Sequence, residues 1–305
     1  MSYTIIECEQ SSAEWHAARC GLITASMFSA AVSTTSTLND MQRVYVNALL
    51  SGQPEAEARL LAGYKAAPKS QAVTEALAGG PTTAISLASK AYADEVAFER
   101  ISGQAYGDTF QTYAMKRGSD EEMWARAAYE ELYDCEIIET GVAVTEDRRF
   151  GYSTDGQVRG QKGGIEIKTP ISAVKLRAMV ESSDLSEYEH QVQGGMWIRG
   201  WEWIDNIIWM PQLKNVRNEI LVKRIYRDDS FIEKLEEDLL AFDARVVEAI
   251  AFWSQPFRRD GLPGQVARAV VPREVKAAAP APTPAAAPYV MSPRLAKLLG
   301  GVVAA

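Results

Sequence analysis

The chain has 305 residues, of which 47% are hydrophobic and 24% are charged, and its formal net charge is −8. This composition is typical of a soluble globular protein with enough material for one large or two modest domains. No apolar run approaches the roughly 20 residues of a membrane span, and no signal peptide precedes the first elements, so we expect no membrane partner. The negative charge argues against a protein that binds nucleic acid over its whole surface, although a local basic channel remains compatible with it.

Cysteine and histidine usage excludes several kinds of metal and disulfide chemistry. The three cysteines, Cys8, Cys20 and Cys135, are scattered and odd in number, which predicts free thiols in a reducing cytoplasm. The absence of a CxxC pair rules out a zinc ribbon or a four-cysteine iron–sulfur cluster within one chain. The two histidines, His16 and His190, are too few for a histidine-based metal site.

The first predicted elements are two helices separated by a tight turn. Ser11 or Ser12 can cap a helix over 13–19, which Gly21 ends, and a second helix opens at 24–26. Arg19 and Ser26 flank this turn at a helix N-terminus, a favourable place for a phosphate. The alternative is a pair of ordinary helices with a solvated arginine.

Residues 38–79 have the pattern of a small helical unit, with predicted helices over 38–51, 55–61 and 70–78 and a Gly-Gly-Pro linker at 79–81. The sequence of this segment resembles the helix-turn-helix of small terminase subunits of phages. The alternative is a helical insertion that packs on the main domain. Its few basic residues, set against as many acidic ones, predict weak binding to DNA at most.

The rest of the chain alternates helices and strands. Helices are predicted over 85–104, 114–133, 173–180, 188–197 and 228–253, and strands over 136–144, 203–210 and 219–226. From about residue 265 the periodicity is lost, and 277–288 is a Pro/Ala linker. We expect the short apolar segment 292–303 to dock on a partner.

The stretch from Tyr152 to Pro170 carries the strongest functional pattern. A strand over 150–154 followed by a Gly-rich turn and a strand over 164–169 predicts a hairpin that brings Asp155 beside Glu166. Because side chains two apart on a strand share a face, Glu166 and Lys168 point the same way.

Two carboxylates and the Ile167 backbone carbonyl would form an all-oxygen site suited to Mg²⁺ or Mn²⁺. Lys168 beside them could orient a water aimed at a phosphodiester and help to deprotonate it. The alternative is a solvated strand face, as we interpret the same spacing at Glu274 and Lys276. A basic stripe that could accept phosphates is predicted from the residues around the motif: Arg148, Arg149, Arg159, Lys162, Lys168, Lys175 and Arg177.

Four motifs in order identify a family. They are W…R…GLITAS at 15–26, RGSDEEMWAR at 117–126, STDG…GIEIKTP at 153–170 and YEHQVQGGMW at 188–197. Together they resemble the phage lambda-type exonucleases, the YqaJ-like viral recombinases of the PD-(D/E)xK nuclease superfamily. The resemblance spans 11–32 and 86–255. It implies an α/β fold with a restriction-endonuclease-like core, in which helices flank a central mixed β-sheet.

The expected domain organisation follows from where this resemblance is interrupted. We expect an exonuclease domain over 1–35 and 83–260, a helical insertion with helix-turn-helix character over 36–82, and a linker and tail over 261–305.

The resemblance also implies roles for individual residues. Asp155 and Glu166 would bind the metal, and Glu122 would be a further acid near it. Lys168 would polarise the attacking water. Gln191 would hold the lysine or the water, in the motif that Tyr188 opens. Thr154 stands where the superfamily motif has proline, which casts little doubt on catalysis.

By the same resemblance, Arg19 and Ser26 grip the 5′-phosphate of a DNA end. The function implied is a Mg²⁺-dependent 5′→3′ exonuclease of double-stranded DNA in phage recombination. It would work as a homotrimer with a single-strand annealing protein in the cytoplasm of a bacterial host. The alternatives are another PD-(D/E)xK nuclease, either Cas4-like or a structure-specific endonuclease, and a non-catalytic DNA-binding or packaging protein. The missing cysteine cluster argues against the Cas4-like alternative.

Overall fold

The computed structural model of the chain describes residues 2–106 and 113–255. The strands in these ranges are β1 Tyr3–Ile6, β2 Ile23–Thr24, β3 Thr34–Ser36, β4 Thr83–Ile85, β5 Ile137–Ile138, β6 Val142–Thr145, β7 Phe150–Ser153, β8 Gly156–Val158, β9 Gly163–Lys168, β10 Trp203–Trp209 and β11 Ile220–Tyr226. The α-helices are α1 Ala13–Arg19, α2 Phe28–Val32, α3 Asp40–Leu50, α4 Glu55–Leu61, α5 Gln71–Leu77, α6 Leu87–Ser102, α7 Tyr113–Tyr133, α8 Ala173–Ser182, α9 Glu189–Arg199 and α10 Asp229–Trp253. None of these helices has the length and apolar character that a membrane span requires.

Helix boundaries agree with the capping residues. The Ser12 side chain accepts a hydrogen bond from the backbone N–H of Trp15, so α1 begins where predicted. The helix expected from 85 begins only at Leu87, because Ser86 is its cap and 83–85 form a strand instead. The helix expected to open at 24–26 is a 3₁₀ turn over Ala25–Met27 that leads directly into α2.

The strands form two main sheets, which confirms the α/β class. One sheet has five strands in the order β11-β10-β9-β8-β5, with β9 and β10 parallel and the other neighbours antiparallel. The other has four strands in the order β1-β6-β7-β2. The strand predicted over 136–144 is in fact β5 and β6, one in each sheet. Gly141 lies between them, where a Cβ would meet the carbonyl oxygen of Ile6 at 1.9 Å.

The predicted hairpin partner of β9 was wrong. The strand at 150–154 is β7, which pairs with β6 and β2 in the four-stranded sheet. The partner of β9 is β8, which lies within the stretch predicted to be a turn. Gly156 permits this pairing because a Cβ there would meet Cγ2 of Ile137 at 2.3 Å. Thr154 and Asp155 therefore carry the chain from one sheet to the other, and Asp155 still arrives beside β9.

Helices cover both faces of the five-stranded sheet. α7 packs on one face in a hydrophobic cluster that includes Tyr129, Ile165 and Ile207. On the other face Ile204 belongs to the largest core cluster, with buried side chains of α6, α9 and α10. β9 is therefore buried from both sides, and its polar residues lie at a protected place in the fold.

The three helices predicted within 38–79 are present as α3, α4 and α5. They share a hydrophobic cluster of their own, which includes Tyr45, Ala58 and Val73. β3 and β4 form a two-stranded ribbon at the two ends of this segment, with Thr34 paired to Ile85. The predicted linker and tail over 261–305 lie outside the described residues.

Candidate active site

The candidate site lies on one face of β9, where Glu166 and Lys168 project side by side as their spacing predicted. Nζ of Lys168 lies 2.9 Å from Oε1 of Glu166. Both side chains contact Gln191 of α9. Nζ of Lys168 donates to Oε1 of Gln191 at 3.0 Å, and the amide nitrogen of Gln191 donates to Oε1 of Glu166. A carboxylate, an ammonium group and an amide thus form a closed triangle.

Asp155 joins this triangle from the junction between the two sheets. Its Oδ2 accepts a hydrogen bond of 2.6 Å from the backbone N–H of Ile167, so the Ile167 peptide lies beside it. Asp155 and Glu166 are 8% and 2% exposed, which makes both carboxylates part of the protein interior. The structure therefore brings together the two acids that the sequence predicted as neighbours.

Two glycines of α9 allow this helix to approach the site closely. A Cβ on Gly194 would lie 2.4 Å from the ring of Phe28, and one on Gly195 would lie 2.6 Å from the ring of Tyr152. α9 begins directly after a 3₁₀ turn that ends at Tyr188, whose ring lies 5.1 Å from Nζ of Lys168. Close packing of α9 positions Gln191 over β9.

The electrostatics of the site are dominated by buried negative charge. Burial raises the pKa of Asp155 well above its ordinary value, and the nearby charges of Glu166 and Glu122 raise it further. Burial also raises the pKa of Glu122, with Glu166 adding to the effect and Arg126 opposing it. The negative charges of these carboxyl groups thus repel one another, and few positive charges among the described residues lie close enough to offset the repulsion.

Lys168 is the cation that these carboxylates share. Its burial acts to lower its pKa, but the charges of Glu166 and Asp155 outweigh this effect and raise the pKa above its ordinary value. At neutral pH the side chain is therefore protonated. It can donate hydrogen bonds and stabilise negative charge, and it is a poor base.

The donor set fits a hard divalent cation. Asp155 and Glu166 offer carboxylate oxygens in a buried place that carries excess negative charge, which is the environment that Mg²⁺ and Mn²⁺ prefer. Across residues 2–106 and 113–255, no three acidic, histidine or cysteine side chains are already gathered tightly enough to enclose an ion. The charge of Glu122 nevertheless reaches this pair, since it helps to raise the pKa of Asp155.

The predicted phosphate-binding pair is also assembled. The guanidinium of Arg19 lies 3.5 Å from Oγ of Ser26 and 4.1 Å from the centroid of the Trp15 ring. Burial lowers the pKa of Arg19, while the charge of Glu166 is among those that oppose this shift. The charge of Glu99, and to a lesser extent that of Glu166, thus reaches Arg19.

Comparison with known proteins places this geometry in a family. A model described as the YqaJ-like viral recombinase domain matches residues 14–202, more than half of the chain. The chain belongs to this family. No curated protein matches it.

Two solved structures of an alkaline exonuclease share the fold of this YqaJ family member. The alkaline exonuclease LHK-Exo from Laribacter hongkongensis is 23% identical, with a TM-score of 0.55 and coverage of 79% of this chain and 96% of that chain. LHK-Exo in complex with dAMP is 24% identical, with a TM-score of 0.56 and the same coverage. A phage-related exonuclease from Haemophilus somnus 129PT is 18% identical, with a TM-score of 0.45 and coverage of 62% of this chain and 92% of that chain.

Most residues of the predicted basic stripe form ion pairs with acidic side chains in this YqaJ family member. The ion pairs are Arg149–Asp147, Arg159–Glu136, Lys162–Glu202, Lys168–Glu166, Lys175–Glu187 and Arg177–Glu181. Several partners are distant in sequence and meet only in the fold. Phosphate binding by the stripe stays a prediction.

Two side chains at the site were missed by sequence reasoning. The hydroxyl of Tyr152 donates to Oε2 of Glu166 at 3.0 Å, and the amide of Gln10 donates to Oδ1 of Asp155 at 3.5 Å. Tyr152 is an aromatic residue in a strand, which has the appearance of an ordinary core residue. Gln10 lies before the first motif, and its position depends on long-range packing, so no local signal marked it.

Proposed function

We propose that this protein is a metal-dependent 5′→3′ exonuclease that degrades double-stranded DNA from its ends during phage-type homologous recombination. The observation that carries the proposal is the buried pair Asp155 and Glu166 beside Lys168 and Gln191. Membership of the YqaJ-like viral recombinase family and a fold shared with an alkaline exonuclease support it.

In this proposal Asp155 and Glu166 hold the divalent cation, Mg²⁺ or Mn²⁺, with the Ile167 carbonyl and Glu122 as further oxygen donors. The cation would supply the charge that stabilises the attacking and leaving oxygens of phosphodiester hydrolysis. Lys168 would orient the attacking water and stabilise the negative charge that develops on it. Gln191 fixes the position of Lys168 through the hydrogen bond of 3.0 Å.

The direction of degradation would come from Arg19 and Ser26. A guanidinium next to a hydroxyl, partly buried against Trp15, suits a terminal phosphate, which accepts charge-assisted hydrogen bonds. The charge of Glu166 reaches Arg19, so a phosphate at Arg19 would hold the 5′ nucleotide near the carboxylates. This arrangement favours an exonuclease over an endonuclease.

The test is nucleotide release in Mg²⁺ from linear duplex with 5′-phosphate ends, linear duplex with 5′-hydroxyl ends, and closed circular duplex. We expect the closed circle to resist and 5′-phosphate ends to be degraded roughly ten- to a hundredfold faster than 5′-hydroxyl ends. Arg19→Ala should remove this difference. Arg177→Ala, which alters an exposed arginine paired with Glu181, should retain it. Cleavage of the closed circle would indicate an endonuclease, and equal rates on both linear substrates would refute the phosphate grip.

The wider assembly is a proposal that rests on family resemblance. The protein would act as a homotrimer around duplex DNA, with a single-strand annealing protein as partner, in the cytoplasm of a host that carries the phage or prophage. Sedimentation equilibrium of the full chain tests the oligomeric state, and a monomer across the whole concentration range would contradict the trimer.

We also propose that 36–82 is an insertion in an exonuclease domain over 1–35 and 83–260. Its separate hydrophobic cluster and the ribbon at its ends support this division. A role as a weak duplex guide or a protein-docking module suits its balanced charge. Replacing 36–82 by a short Gly/Ser loop should preserve cleavage of short duplexes. Loss of that cleavage in a folded variant would place the insertion in the active site.

A further inference from the structure

Tyr152 makes a contact with the catalytic carboxylate that the proposed chemistry does not use. Oε1 of Glu166 accepts from both Lys168 and Gln191. In the described part of the chain, the hydrogen bond to Oε2 comes from the Tyr152 hydroxyl alone, at 3.0 Å. Each oxygen of Glu166 thus has its own donors, and Tyr152 determines where the second oxygen lies.

The fold holds Tyr152 firmly in this position. The side chain is 2% exposed, its ring packs against Gly195 of α9, and it meets the ring of Trp201 edge-on with centroids 6.3 Å apart. Tyr152 lies on β7 of the four-stranded sheet, whereas Glu166 lies on β9 of the five-stranded sheet. The hydrogen bond therefore connects the two sheets at the site where Asp155 also crosses between them.

We propose that Tyr152 is a positioning residue whose hydroxyl orients the Glu166 carboxylate as a ligand for the divalent cation. A carboxylate whose rotation is restrained before an ion arrives loses less conformational freedom on binding it, and hydrogen bonds to metal ligands commonly tune affinity in this way. The proposal rests on the proposed metal-dependent function, because it assigns Tyr152 a role in preparing that metal site.

The chain offers a matched control on the opposite face of the same sheet. The hydroxyl of Tyr129, itself 1% exposed, donates to Oδ2 of the buried Asp205 at 2.6 Å. Both Tyr152→Phe and Tyr129→Phe remove one hydroxyl from a buried tyrosine–carboxylate bond and keep the ring. Of these two tyrosines, Tyr152 contacts a carboxylate of the candidate site and Tyr129 does not. Comparing the two variants therefore separates an effect on the position of Glu166 from an effect on the stability of the fold.

The experiment is calorimetric titration of the full-length protein with Mn²⁺, alongside nucleotide release from linear duplex at limiting and saturating Mn²⁺. For Tyr152→Phe we expect Mn²⁺ affinity to fall about ten- to a hundredfold, the usual range for such outer contacts. Nucleotide release should fall at limiting Mn²⁺ and recover largely at saturation, with KM for DNA unchanged. Tyr129→Phe should retain wild-type Mn²⁺ affinity, even if its thermal midpoint falls.

Other outcomes would overturn the inference. Unchanged Mn²⁺ affinity in a folded Tyr152→Phe variant would show that the hydroxyl does not prepare the site, and equal losses in both variants would reduce the effect to general destabilisation. If wild-type protein bound no Mn²⁺, the proposed function itself would fail.

A second background covers the case in which Tyr152→Phe does not fold. In Glu166→Gln the buried charge is absent, which lessens the demand for a hydroxyl donor. Adding Tyr152→Phe to that variant should then leave the remaining Mn²⁺ affinity unchanged. A further loss of affinity in the folded double variant would show that Tyr152 acts by a route other than Glu166.

Discussion

The two faces of the five-stranded sheet carry buried carboxylates with similar partners and different balance. On the face covered by α7, Asp205 accepts from Tyr129 at 2.6 Å and from two nitrogens of Arg224 at 2.8 Å each. On the face covered by α9, Glu166 accepts from Tyr152, Lys168 and Gln191. A tyrosine, a cation and a buried acid are present on both sides.

The difference lies in how many acids share one cation. Asp205 has a bidentate guanidinium, a geometry that satisfies both carboxylate oxygens. Glu166 shares Lys168 with Asp155 and lies near Glu122, and the pKa values of these last two acids are raised. A buried acid is therefore not in itself a sign of function. An excess of acids over cations, retained in the interior despite its cost, is a better indication of a site that receives a cation.

The largest effect on stability is expected where the balanced pair is broken. Asp205→Asn leaves Arg224 without its carboxylate, and removing one partner of a buried ion pair typically costs about 3–5 kcal/mol. Arg224 is partly exposed, which places the expected loss at the lower end of this range. Urea unfolding should show this loss, while cleavage of DNA at a temperature where the variant is folded should remain. Loss of cleavage in a folded variant would remove the contrast between the two faces.

On the face covered by α9, replacing a buried acid is expected to raise the unfolding free energy instead of lowering it. Because the folded-state pKa of Asp155 lies above its unfolded value, its protonation stabilises the fold. Without divalent cations, the unfolding free energy should therefore rise as pH falls through the window between the raised pKa and the ordinary value. Asp155→Asn should flatten this dependence and be more stable than wild type at neutral pH. A less stable variant, or an unchanged pH dependence, would contradict the assignment of buried charge.

A smaller effect is expected at Asn206, which is paired in register with Glu166 and lies on the same face. Its side chain is fully buried, and neither polar atom of its amide has a hydrogen-bond partner in the described part of the chain. An unsatisfied buried polar group costs about 1–3 kcal/mol, so Asn206→Leu should raise the unfolding free energy by up to that amount. A folded Asn206→Leu variant of lower stability would show that the amide is satisfied in solution.

Much of the fold followed from local patterns. The spacing of Glu166 and Lys168 placed both on one face because strand side chains alternate, and Ser12 determined where α1 begins. The sheet that each strand joins could not be predicted in this way. Alternation of side chains along a strand shows which residues share a face, but it does not show which strand lies next to it. β7 and β8 are separated by only Thr154 and Asp155, yet they pair in different sheets.

The residues of the candidate site could likewise be predicted where they lie close together in the sequence. Asp155, Glu166 and Lys168 belong to one short stretch, and the family resemblance added Gln191. Contacts between distant segments were beyond local patterns: Tyr152 resembles a core residue until Glu166 is placed against it. The ion pairs of the predicted basic stripe were also beyond local patterns, since Arg159 meets Glu136 across 23 positions of sequence.

The most direct test of the account compares Glu166→Gln with Asp205→Asn in Mg²⁺-dependent nucleotide release from linear duplex with 5′-phosphate ends. Both variants replace a buried carboxylate of the same sheet by its amide, and both should be measured where circular dichroism shows them to be folded. Loss of a cation that contributes about 4 kcal/mol corresponds to a decrease of about 10³-fold in Glu166→Gln, with Asp205→Asn close to wild type. Retained Mg²⁺-dependent release by Glu166→Gln, or equal losses in the two variants, would contradict the assignment of the α9 face as the active site.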